Sequence, residues 1–149
     1  MDQHHRQIVE KTCVVSALDD QLHTIKTSLI HAAHKQGVSQ GTTVTALADG
    51  AKNCWSVLSA IQPACATLEY ILDWFHIAQK FQNVKNALGE AFTASLESAK
   101  WKLWHGNADD ALTKLAVLRD HVSEEGHRSK LTGLYAYLHR NQAYLVNYD

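Results

Sequence analysis

The sequence predicts an α/β fold in which a short parallel sheet gives way to an all-helical region. Three observations carry this reading. β-type runs alternate with amphipathic stretches through the first half, two of those runs end directly in an aspartate, and no strand pattern survives beyond Phe75.

The elements follow in order. Thr12–Leu18 is rich in β-branched residues and suits a strand. A helix is expected next, capped by Asp19 or Asp20, with Leu18, Leu22, Ile25 and Leu29 at helical spacing and Gly37 where a left-handed C-terminal residue is wanted. Thr43–Ala48 reads as a second strand running into Asp49-Gly50. The helix after it carries Trp55, Leu58 and Ile61 on one face and is closed by Pro63. Thr67–Leu72 is the third strand and delivers Asp73 at its carboxyl end. Parallel neighbours need crossover connections, so strand, helix, strand, helix, strand implies right-handed crossovers. Beyond Phe75 the stripes are helical: Ile77, Phe81, Val84 and Leu88, then Phe92, Leu96 and Leu103. Asn107-Ala108-Asp109-Asp110 opens a further helix bearing Leu112, Leu115 and Leu118. Leu131, Leu134, Tyr135 and Leu138 mark a last one after Gly126, and the charged run from Arg119 to Lys130 reads as a solvated turn region.

Composition bounds the function. A chain of 149 residues with 46% hydrophobic and 19% charged residues can bury a real core. The formal net charge of -1 removes the strongly basic footprint of a free-standing nucleic-acid binder, so any DNA contact must be local. No apolar stretch is long enough to span a bilayer, and no apolar segment follows Met1-Asp2-Gln3-His4-His5-Arg6, so no membrane partner is expected. Cys13, Cys54 and Cys65 lack Cys-x-x-Cys spacing and are expected as buried thiols in a reducing cytoplasm.

Ligands of a parallel sheet bind beyond the carboxyl ends of its strands, where Asp49 and Asp73 both fall. Converging carboxylates could hold magnesium for phosphoryl chemistry. An Asp-Gly pair is also a plain turn, and Asp73 could simply cap the next helix. His76, three residues beyond Asp73, can share its helical face and hydrogen-bond to it. Lys100, Trp101, Lys102 and Trp104 mix cations with aromatics, as a surface for bases and phosphates would, although core packing claims at least one of the tryptophans. His31 and His34 lack the surrounding ligands a zinc site needs.

Three strings taken together, Ala48-Asp49-Gly50-Ala51, Ile71-Leu72-Asp73-Trp74-Phe75-His76-Ile77 and Lys100-Trp101-Lys102-Leu103-Trp104-His105-Gly106-Asn107, resemble bacterial insertion-sequence transposases of the acidic-triad (DDE) type, ISKra group. The resemblance runs from about Cys13 to Tyr148. It implies a partial ribonuclease-H-like catalytic core over residues 1–73 and an all-helical insertion domain over residues 74–149. Asp49 then matches the second of three acids that together bind two Mg2+ ions. Asp73 and His76 match a structural signature, Cys or Asp, then two intervening residues, then His, at the start of the insertion.

The first acid is expected in a strand upstream of this chain, and the final glutamate beyond the insertion. The expectation is therefore an internal fragment of a DNA transposase, derived from an enzyme of strand cleavage and joining but inactive alone. Its partners would be transposon-end DNA, further copies of itself or full-length transposase. The rival expectation is a non-enzymatic binding module, either pairing with full-length transposase or holding DNA through Lys100, Trp101, Lys102 and Trp104. A small metal hydrolase built on Asp49, Asp73 and His76 is the weakest of the three readings.

Overall fold

The computed structural model describes residues 11–16 and 21–149. The chain is mixed α/β and mostly helical. Among the described residues it has six α-helices and one parallel sheet of two strands, β1 (Thr43–Ala48) and β2 (Thr67–Leu72). The ladder is bracketed by Ala66 N–H donating to Thr42 O at 2.9 Å and Asp73 N–H donating to Ala48 O at 2.8 Å. Both strands lie where β-branched and apolar residues concentrate in the sequence.

The first expected strand is not seen. Lys11–Ser16 takes no regular structure, Val15 is 80% exposed, and Ala17 and Leu18 lie outside the described residues. A β-prone run becomes a strand only where a neighbour completes its ladder and something covers one face, and Val15 has no such cover. Cys13, expected buried, is exposed for the same reason, whereas Cys54 is half-buried and Cys65 buried.

The chain packs as two compact units, one gathering the described residues up to Val44 with Trp55–Leu68, the other Thr45–Cys54 with Glu69–Asp149. In the first, α1 (His23–Lys35) buries Ala32 and Ala33 and packs on a 3-10 turn, Ser59–Ala64, that follows the short helix α2 (Lys52–Leu58) and contains Pro63. The expected caps Asp19 and Asp20 lie outside the described residues. At the other end Gly37 takes φ +86°, as the sequence requires. Gln40 Nε2 donates to Pro63 O at 2.6 Å, and Gln36 Nε2 donates to Thr12 Oγ1 at 2.6 Å.

The second unit is dominated by α3 (Trp74–Leu88), α4 (Thr93–Trp104), α5 (Ala108–His121) and α6 (Glu125–Arg140). Helix α4 packs on α5 and α5 on α6, while α3 contacts both α4 and α6. The expected stripe Ile77, Phe81, Val84 and Leu88 is buried in full, and Leu96, Leu103, Leu112, Leu115, Leu131, Leu134 and Leu138 join it. Helix α6 starts earlier than its stripe predicted. Glu125 opens it with negative charge at the positive end of the helix dipole, and Arg128 Nη2 returns to Val122 O at 2.9 Å, so the charged run is largely helical. No helix of the described residues is long and apolar enough to cross a membrane.

Leu96 is 1% exposed at the centre of this packing, so Leu96→Ala should cost about 2–5 kcal/mol in a urea titration. Val117→Ala, at a position 53% exposed, should stay within about 0.5 kcal/mol of the parent.

Candidate functional site

Both aspartates sit just beyond the carboxyl ends of the paired strands, and different devices hold them. After β1 the chain turns at Asp49-Gly50. Asp49 Oδ1 accepts from Ala51 N–H at 2.9 Å, and Gly50 takes φ +88°, a conformation that suits glycine. The half-buried Cys54 thiol hydrogen-bonds to the Asp49 side chain. Burial, then the Asp49 charge and that bond, push the thiol above its ordinary range.

After β2, Asp73 caps α3. Its Oδ1 accepts from Phe75 N–H at 3.2 Å, and its Oδ2 meets His76 Nδ1 at 2.7 Å. Partial burial pushes the Asp73 carboxyl up, but the hydrogen bonds from His76 and Phe75 and the imidazole charge outweigh it, and the net shift is downward. The local contact expected from the three-residue spacing is therefore present.

Two phenols close the site. Tyr137 of α6 donates its hydroxyl proton to Asp49 O at 2.8 Å, and Tyr148 donates to Leu72 O at 2.7 Å. Each hydroxyl is pushed up to about 12, first by burial; for Tyr137 the Asp49 charge adds to this, then Tyr148 and Asp73. Asp49 and Asp73 thus act electrostatically on one phenol. Both phenols remain protonated donors at neutral pH.

The chain after α6 contributes further. Tyr148 N–H donates to Trp104 O at 2.8 Å, its ring stacks on Trp104 with centroids 6.2 Å apart, and Trp74 meets Trp104 edge-on at 4.9 Å. Trp104 is accordingly a packing residue beside the Asp73 cap. Trp101 is 50% exposed. Lys100 pairs with Glu97, which also takes Lys85 at 3.1 Å, and Lys102 pairs with Asp110 at 2.7 Å. The four α4 residues therefore divide: both lysines are engaged with acids, one tryptophan is packed and one faces solvent.

Among the described residues no three His, Cys, Asp or Glu side chains converge as metal ligands. The residues that sequence reasoning missed are Tyr137, Asn141 and Tyr148. Tyr137 and Asn141 continue the Leu134 and Leu138 spacing by a turn, a signal that reads as core rather than as site support. No protein-family model, curated protein or solved structure matches the chain.

The survivor of His76→Ala is an Asp73 carboxylate still a quarter exposed, so the loss should be modest, about 0.5–1.5 kcal/mol. Because the folded Asp73 value is depressed, the pair stabilises above the unfolded carboxyl value of about 3.9 and loses its effect as pH falls through the lower folded value. Urea midpoints of wild type and His76→Ala should differ at pH 6, begin to converge below about pH 4, and coincide only once pH has fallen below the depressed folded value.

Proposed function

We propose that the chain carries part of the catalytic region of a bacterial insertion-sequence DNA transposase of the acidic-triad type, with Asp49 as one of the three acids of a ribonuclease-H-like sheet and the helices after Asp73 as the insertion. The observation that carries the reading is the placement of Asp49 and of the Asp73–His76 pair at the adjoining carboxyl ends of two parallel strands, followed directly by helices. The three free thiols fit a reducing cytoplasm.

The parent reaction is in-line attack of water or a 3' hydroxyl on a phosphodiester, to which two Mg2+ ions supply charge neutralisation when bound. The residues of this chain do not fit that pair of ions alone. Asp49 is a single carboxylate, one of its oxygens already accepts from Ala51, and among the described residues no three His, Cys, Asp or Glu side chains converge around it. No catalytic step is therefore assigned to the chain in isolation. What its own residues do is hold one carboxylate at a fixed point of the sheet edge.

The second reading, a binding module for DNA or for full-length transposase, is favoured by Trp101, a large exposed aromatic with Lys100 Nζ 5.3 Å from its ring centroid. The engagement of Lys100 and Lys102 with acids weighs against it.

Incubated with supercoiled plasmid and Mg2+, the purified chain should leave the DNA uncut. Extended by polypeptide carrying the other two acids, it should cleave, and Asp49→Asn should abolish that cleavage while keeping stability within about 1 kcal/mol of the parent. Cleavage retained by Asp49→Asn would remove Asp49 from the mechanism. Nicking by the unextended chain that disappears with Asp49→Ala would overturn the view that it is inert.

A further inference from the structure

The turn that carries Asp49 is held by a helix far along the chain. Tyr137 and Asn141 are four residues apart on α6 and its C-terminal cap, and so lie on one face. Tyr137 donates to the carbonyl of Asp49 at 2.8 Å. Asn141, 2% exposed, packs its carboxamide against Gly50 so closely that a Cβ there would stand 2.7 Å from Asn141 Nδ2. Residue 50 is thus confined to glycine twice over, by its φ of +88° and by that approach.

The two clamping side chains are themselves fixed. Asn141 Nδ2 donates to Tyr137 O at 2.9 Å, and Lys80 Nζ of α3 lies 4.4 Å from the centroid of the Tyr137 ring. The Asp49 carboxylate is tethered in turn, Oδ1 accepting from Ala51 N–H at 2.9 Å. The main chain of the turn is therefore gripped by α6 while the Asp49 side chain closes onto the Ala51 amide.

The geometry points to Tyr137 and Asn141 as positioning residues that fix the main chain at Asp49 and Gly50, so that the Asp49 carboxylate projects in one orientation. This rests on the reading of Asp49 as a catalytic acid and deepens it, since a reacting group must be held to within about 0.5 Å by supporting side chains. Neither residue touches a reacting atom. Tyr137 acts through the Asp49 carbonyl and Asn141 through the space over Gly50. The helical region then sets the aim of the acid on the sheet.

The test needs neither DNA nor metal, so its failure is separate from failure of the transposase reading, which the cleavage assay decides. In the full chain labelled for NMR, Tyr137→Phe should speed exchange of the Ala51 amide by about tenfold and shift the Asp49 carboxyl carbon signal, while Leu96 and Leu115 amides keep their protection. Asn141→Ser should do the same, and serves if Tyr137→Phe fails to fold. Leu96→Val, a comparable loss in the core, should leave the Asp49 carboxyl signal in place. An unchanged Asp49 signal in both turn variants, a uniform loss of protection, or an equal shift in Leu96→Val would overturn the assignment.

Discussion

Two hydrogen bonds from tyrosine hydroxyls to main-chain carbonyls, Tyr137 to Asp49 and Tyr148 to Leu72, fix the ends of the strands. A sheet of two strands is marginal by itself in water, and carbonyls at its partly buried end need donors once water is displaced. The second unit supplies both donors from beyond α5. With those ends fixed, Asp73 N–H can meet Ala48 O, Asp73 can cap α3, and the first turn of α3 can bring His76 to the cap. The aromatic cluster of Trp74, Trp104 and Tyr148 follows from the same anchor, because the tail that presents the Tyr148 hydroxyl also lays its ring on α4.

Charge is arranged locally rather than as a field. Lys85 and Lys100 converge on Glu97, a half-buried carboxylate held below its ordinary range first by the hydrogen bond from Lys100. The pair from Lys102 to Asp110 joins α4 to α5 at an exposed position, where such pairs contribute little. Together with a formal net charge of -1, this leaves no basic stripe along α4. A DNA contact through this helix would rest on stacking at Trp101 and would require the lysines to exchange partners.

The two strands of the sheet were legible because their β-branched runs end at Asp49 and Asp73, and the stripe of α3 because four apolar residues recur without interruption. The contact of Asp73 with His76 was legible for the same reason: it is set by a spacing of three residues at a helix start. Thr12–Leu18 misled because propensity says nothing about whether a neighbouring strand exists to complete a ladder. The start of helix α6 is not visible in its apolar stripe, because charge at Glu125 and the return of Arg128 to Val122 O set it. Tyr137, Asn141 and Tyr148 could not be assigned from the sequence. Their partners are main-chain atoms 76 to 91 residues away, and a carbonyl carries no mark in the sequence.

The central claim is that the two phenol anchors hold one structure, the paired strand ends carrying Asp49 and Asp73. A double-mutant cycle on Tyr137→Phe and Tyr148→Phe, read from urea midpoints of the full chain, tests it most directly. Each single change should cost about 1 kcal/mol, and the pair should depart from additivity by at least about 0.5 kcal/mol because the strand ends are joined through Asp73 and Ala48. Strict additivity, or single variants as stable as the parent, would contradict the account.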